Sequence, residues 1–369
     1  MIQSPQKIHL IAAARPNFMK IAPLYHALVA ESWCIPEIVH TGQHYDPNMS
    51  DTFFRDLRMP APQYHLGVGS GSHAEQTGGV MIAYEKVCQA AQSRPGWIIV
   101  VGDVNSTAAC ALVGVKLGIS VIHLEAGLRS RDRRMPEEIN RLVTDAISDV
   151  MWTPSPDADA NLLREGVPPE RIERIGNIMI DSYEMVREQI EADDTRRSLN
   201  LARGAYGVVT LHRPSNVDDR ATLATLVAQL KAVAARLPLL FALHPRTRKR
   251  LDEFGLTAEL KDPNISITDP LGYIQFMNVV SSAKLVITDS GGVQEETTYL
   301  GIPCFTLREN TERPITVTEG SNMMVKPEAL LSLVAERLES NSRAGRVPDL
   351  WDGRAASRAV AFLRKRVLG

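Results

Sequence analysis

The chain has 369 residues, 44% of them hydrophobic and 23% charged, with a formal net charge of −2. That length exceeds one ordinary hydrophobic core, so two α/β domains with a cleft between them are expected. The near-neutral balance offers no basic excess for a nucleic-acid surface, and no apolar run approaches the roughly 18 residues that span a bilayer.

In chain order, apolar runs rich in β-branched residues alternate with helical stretches: 7–14, 36–42, 96–103, 120–127 and 149–154. Such alternation predicts a parallel sheet covered by helices on both faces. The first run resembles the core of a secretory signal, but a single Lys precedes it and ARPNFMK follows directly. It therefore reads as a first strand, and a cytoplasmic location is expected. A second series occupies 206–212, 238–245, 264–270, 283–292 and 302–307, a second domain of the same class. The charged segment 184–200 reads as helix and linker. The domains are accordingly 1–180 and 181–369, and the helical spacing of 353–369 would let that tail pack back on either domain. Cys34, Cys88, Cys110 and Cys304 lack CxxC spacing, which argues against disulfides and structural zinc.

In open α/β sheets ligands sit at the carboxyl ends of the strands, and polar residues collect there. Arg15 to Lys20 follow the first strand, Thr41-Gly42-Gln43-His44 the second, Gly102-Asp103 the third and Glu125-Ala126-Gly127 the fourth. Asp103 and Glu125 end strongly apolar strands, where an acid is rarely buried without a partner or a task. Glu137 and Glu138 follow Pro136 at a helix start, where the dipole alone favours acids, so capping competes with catalysis there. In the second domain His212-Arg213 and His244-Pro245-Arg246 end consecutive strands, a pattern suited to an anion. Asp289-Ser290-Gly291-Gly292 leads into a helix whose small first residues let phosphate oxygens approach backbone N–H groups, and Glu296 one turn on could reach a ribose diol.

Two lookalikes are set aside. Gly69 to Ala74 matches GxGxxA loosely but follows no convincing strand and reads as a flexible loop. His123 and Glu125 with Asp103 lack a third metal ligand at strand spacing.

Taken together and in order, these motifs and Gly176-Asn177, Arg308, Glu312 and Arg313-Pro314 resemble the non-hydrolysing UDP-N-acetylglucosamine 2-epimerases along nearly the whole chain. The resemblance implies a glycosyltransferase-B-like pair of Rossmann-like domains facing across a cleft, with catalytic carboxylates in the first and UDP in the second. It assigns Asp103, Glu125, Glu137 and His212 to catalysis. It gives Arg15, Lys20, Phe276, Ser290, Gly291, Gly292, Glu296 and Arg313 to substrate binding, with no metal, no cofactor and a homodimer as the expected assembly. The implied reaction is reversible 2-epimerisation of UDP-GlcNAc to UDP-ManNAc through 2-acetamidoglucal and UDP. Epimerisation of a modified UDP-HexNAc, such as a 2,3-diacetamido uronic acid, and a hydrolysing reaction that releases ManNAc are the alternatives. Pro214-Ser215-Asn216 and Ile315 depart from the commoner pattern without touching an assigned catalytic position.

Overall fold

The structure, a computed structural model, describes residues 5–13, 15–42, 57–90, 92, 94–340 and 345–369. Gln43 and His44 fall outside them, as does the side chain of Arg15, although Arg15 itself opens a helix. The chain divides into two compact units, residues 1–185 with 349–369, and residues 186–348.

The first unit is built on parallel strands β1 (Gln6–Ala12), β2 (Cys34–His40), β3 (Tyr64–His65), β4 (Trp97–Val101), β5 (Ser120–Leu124), β6 (Val150–Thr153) and β7 (Ile172–Arg174), ordered β3-β2-β1-β4-β5-β6-β7. The central strands are almost wholly buried apolar residues, including Ile98, Ile99, Val100, Val121 and Ile122. This is what a sheet covered on both faces requires. The strand order reverses between the parallel neighbours β1 and β4, so the turns after those two strands diverge and open a crevice at their carboxyl ends.

The second unit repeats the order with β8 (Gly207–Thr210), β9 (Leu239–Ala242), β10 (Ile265–Thr268), β11 (Leu285–Thr288), β12 (Cys304–Thr306) and β13 (Asn322–Met324), arranged β10-β9-β8-β11-β12-β13. Its core joins Val209, Phe241 and Ile287 of the sheet to Leu226, Leu230 and Val233 of the helix Arg220–Ala234. Truncating one such Leu to Ala typically costs about 2–5 kcal/mol. The switch point here lies between β8 and β11.

The C-terminal helix Ala355–Leu368 belongs to the first unit. Asp181 caps it by accepting from Ala355 N at 3.1 Å and Ala356 N at 2.8 Å, and Trp351 Nε1 donates to Pro154 O at 3.0 Å. All four cysteines are buried free thiols. The segment 69–74 is not a loop throughout, because His73 opens the helix His73–Gln89. Ser72 Oγ accepts from Glu75 N at 3.2 Å while Glu75 Oε2 accepts from Ser72 N at 2.8 Å, a capping box that seals its start.

Candidate active site

In the first unit the crevice is organised around Gly102, which follows β4 with φ +66. A Cβ there would lie 3.4 Å from both Glu125 Oε2 and Lys20 Nζ, so the backbone passes close beneath that pair. Lys20, from the helix Arg15–Val29, forms an ion pair with Glu125, and both are buried. Asn17 ties the same helix to β4: its Oδ1 accepts from Ala13 N at 3.3 Å and its Nδ2 donates to Val101 O at 3.2 Å.

Glu125 has φ +70, a left-handed conformation that is costly for a residue with a side chain. It is held there because the N–H groups of Glu125 and Ala126 both donate to Trp152 O, each at 3.1 Å. The turn thus spends backbone strain to aim a carboxylate inward.

Asp103 is one-third exposed and pairs with the buried guanidinium of Arg141. Arg141 also donates to Glu138 Oε2, from Nη2 at 2.8 Å and from Nε at 3.0 Å. Glu138 accepts from Ser130 N and Arg131 N as well, each at 2.9 Å. Burial works against its charge, but these donors hold the Glu138 carboxyl below its usual range. Glu138 therefore braces the loop before its own helix, Pro136–Ile147, while its carboxylate stays in that helix's first turn. Half-buried Glu137 stands one turn before Arg141, on the same side of the helix as the residue that grips Asp103. The structure thus gathers Lys20, Asp103 and Glu125 about the carboxyl ends of β4 and β5, with Glu137 on the helix that supplies Arg141.

In the second unit β8 and β11 run side by side, with Thr210 paired to Thr288. That register sets Asp289, fully buried, beneath His212. Asp289 accepts from Arg213 N at 2.8 Å, from Asn216 Nδ2 at 3.0 Å and from His212 N at 3.0 Å. His212 Nδ1 lies 2.8 Å from Asp289 Oδ1. Burial pushes against the charge, yet these donors, His212 first, hold the Asp289 carboxyl below its usual range. An ionised carboxylate at Nδ1 orients the ring and leaves Nε2 as the exchangeable position. The His244 ring lies 5.4 Å from that of His212. Burial, then the neighbouring His212, makes His244 less basic than usual.

Ser290 precedes the helix Gly291–Leu300 as its N-cap. A Cβ on Gly291 would come 2.9 Å from Glu312 Oε1 and 3.0 Å from Arg313 Nη1, whereas one on Gly292 would meet open space. Glycine at 291 admits the guanidinium, and 292 leaves the helix N-terminus uncovered, the geometry in which backbone N–H groups receive an anion. Arg313 joins an ion cluster, with Nε 2.9 Å from Glu295 Oε1 and Nη1 2.5 Å from Glu312 Oε1, while Arg308 Nη2 lies 2.8 Å from Glu312 Oε2. Two guanidinium groups thus meet two carboxylates at the foot of the helix. Glu296 is buried on the same helix; burial, with the charge of Glu295 adding to it and the nearby Tyr273 side chain opposing it, pushes its pKa up to about 8. Phe276 is half-buried one turn beyond Tyr273 on the helix Tyr273–Val280.

Sequence reasoning placed Asp289 and Asn17 within its motifs but gave them no role, which the structure supplies under His212 and between the helix of Lys20 and β4, and it missed Tyr273 near Glu296 and Asp145 behind β5. The spacing of Glu137, Glu138, Arg141 and Asp145 at three and four residues was a usable signal that one helix face carries all four.

Two Rossmann-like units, each with its polar residues at the switch point and one with an open helix N-terminus, define an enzyme of the nucleotide-sugar class. The family model for UDP-N-acetylglucosamine 2-epimerase matches residues 26–364, and the chain belongs to that family. It is 40% identical to the UDP-N-acetylglucosamine 2-epimerase of Methanocaldococcus jannaschii, over 97% of this chain and 98% of that protein. The crystal structure of the M. jannaschii UDP-GlcNAc 2-epimerase in complex with UDP-GlcNAc and UDP aligns with a TM-score of 0.88 at 40% identity, covering 97% of this chain and 99% of that one. The UDP-2,3-diacetamido-2,3-dideoxy-D-glucuronate 2-epimerase of Pseudomonas aeruginosa is 36% identical over 97% of this chain and 99% of that protein.

Proposed function

We propose that the chain interconverts UDP-GlcNAc and UDP-ManNAc as a cofactor-independent isomerase. The observation that carries this reading is the set of carboxylates around Gly102, where Glu125 is held at a strained backbone angle beside Lys20 and Asp103 is gripped by Arg141. In a pyranoside locked by its C1 substituent, the C2 hydrogen has no adjacent carbonyl to acidify it. Inversion then proceeds by breaking the C1–O bond to UDP as a carboxylate takes the C2 proton, which yields 2-acetamidoglucal and UDP. Return of a proton to the opposite face of C2, with re-formation of the C1–O bond by the UDP oxygen, gives the epimer. Two faces require at least two acid/base groups, and the departing diphosphate requires preorganised donors.

We assign the proton transfers to Asp103, Glu125 and Glu137 of the first unit and to His212 of the second. The helix N-terminus at Ser290, Gly291 and Gly292 receives the diphosphate, Glu296 the ribose, and the segment around Phe276 the uracil. Arg15, Lys20 and Arg313 complete the binding set. We further propose a homodimer working in the cytoplasm; no helix among the described residues is long and apolar enough to cross a membrane.

NMR of the purified protein with UDP-GlcNAc alone in D2O tests the proposal: UDP-ManNAc should appear, with one deuterium at C2 in product and in recovered substrate. Epimerisation without label would overturn the elimination route. Because of the P. aeruginosa relative, the corresponding diacetamido uronic acid nucleotide is the second substrate to assay, and a large preference for it would reassign the sugar.

A further inference from the structure

His123 lies on β5 with no exposed surface, and both ring nitrogens face oxygen atoms. Nε2 is 2.8 Å from the carbonyl oxygen of Gly102, and Nδ1 is 2.5 Å from Asp145 Oδ1. A carbonyl can only accept, so Nε2 carries a hydrogen and donates to Gly102. Asp145 in turn accepts from Gly127 N at 3.0 Å, and its Oδ2 lies 2.7 Å from Arg129 Nη1. Arg129 is closed off by Glu165, with Nε 2.9 Å from Oε1.

The ring therefore bridges two turns. One is Gly102, at φ +66, which leads directly into Asp103; the other runs from Glu125, at φ +70, to Gly127, at φ +80. Each turn holds a left-handed residue, and each carries one of the carboxylates assigned to proton transfer. An apolar residue at 123 would fill the space but leave the Gly102 carbonyl without its donor and Asp145 Oδ1 without its neighbour at 2.5 Å, and a buried ring is worth its desolvation only because both nitrogens have these partners.

We propose that His123 is a positioning residue of the first unit: by joining the Gly102 carbonyl to Asp145 it fixes the spacing between the turn that bears Asp103 and the turn that bears Glu125. The inference rests on the catalytic assignment of those carboxylates. His123 touches no substrate and acts through the two turns alone.

The test uses the full chain and the variants His123→Gln, His123→Asn and His123→Ala. The Gln amide places its nitrogen near the position of Nε2 and keeps the donor to Gly102, while the shorter Asn amide reaches only toward Asp145. Because a misplacement of about 1 Å can cost about a hundredfold in turnover, kcat of the Asn and Ala variants should fall by about that factor with KM changed less than about threefold. The Gln variant should stay within about tenfold of the parent, and added imidazole should raise turnover of the Ala variant by about tenfold. Equal activity of Gln and Asn variants, no response to imidazole, or losses that follow the fraction unfolded in all three would overturn the proposal and leave His123 with a packing role. A separate arm needs no turnover: the ring Nε2 hydrogen of His123 in the unaltered protein should exchange slowly in D2O, and exchange at the rate of free imidazole would overturn the bond to Gly102. If the unaltered protein does not epimerise UDP-GlcNAc, the proposed activity fails while this arm still decides the link.

Discussion

Asp289 and His212 are joined twice, through the His212 backbone N–H at 3.0 Å and through ring Nδ1 at 2.8 Å. A carboxylate that fixes both the main chain and the ring sets the direction in which Nε2 points. Asp289→Asn should lower kcat by about a hundredfold, in the range seen when a positioned acid/base group is lost. The double variant with His212→Asn should be little worse than His212→Asn alone. Additive losses in steady-state kinetics would show that the two act separately.

Replacing Asp103, Glu125 or Glu137 singly by its amide should reduce turnover by about a hundredfold or more, with UDP affinity by calorimetry nearly unchanged. A variant that instead lost UDP binding with normal turnover at saturation would be a binding group. For Asp103 the variant should also weaken the hold of Arg141, which then keeps Glu138 as its ion partner and the Ser130 hydroxyl.

Glu296 links nucleotide binding to pH. Its folded pKa lies near 8, above the usual carboxyl value of 4.5, so its neutral form contributes stability that is complete below about 4.5 and lost as pH rises through about 8. Ribose hydroxyls donate best to the ionised form, so binding should release a proton. Affinity for UDP-GlcNAc, whose diphosphate does not titrate in this range, should rise by up to about tenfold per pH unit below 8 and level off above it. Glu296→Gln should bind more weakly and without that slope in titrations from pH 6 to 9. An unchanged slope in the variant would trace the proton to another group.

Turnover should survive EDTA and exhaustive desalting. The chain offers no convincing dinucleotide fingerprint, and no cluster of three His, Cys, Asp or Glu among the described residues could hold a metal ion. Activity lost on such treatment and restored only by a divalent ion or a nicotinamide would contradict this.

Much of this protein was legible from residue order alone, since burial on both faces forces parallel strands into apolar runs and a polar cluster after such a run marks a carboxyl end. Asp103 after Val100-Val101, Glu125 after His123-Leu124 and Ser290-Gly291-Gly292 after the run to Thr288 are local signals of that kind. The strands β3, β7 and β13, two or three residues long, leave no periodicity to read. What only the tertiary structure decided are the partnerships. Lys20 meets Glu125 across 105 residues, Arg141 meets Asp103 across 38, and Asp289 meets Asn216 across 73. Each depends on which strands lie side by side, and no local pattern states that β1 joins β4 or that β8 joins β11. The left-handed angle at Glu125 was equally hidden, because nothing in a Glu codes for positive φ; the Trp152 carbonyl on the neighbouring strand imposes it. The sequence names the groups that can do the chemistry, while the order of the strands settles which of them face one another, because ion pairs and hydrogen bonds act over a few ångströms of space and are blind to distance along the chain.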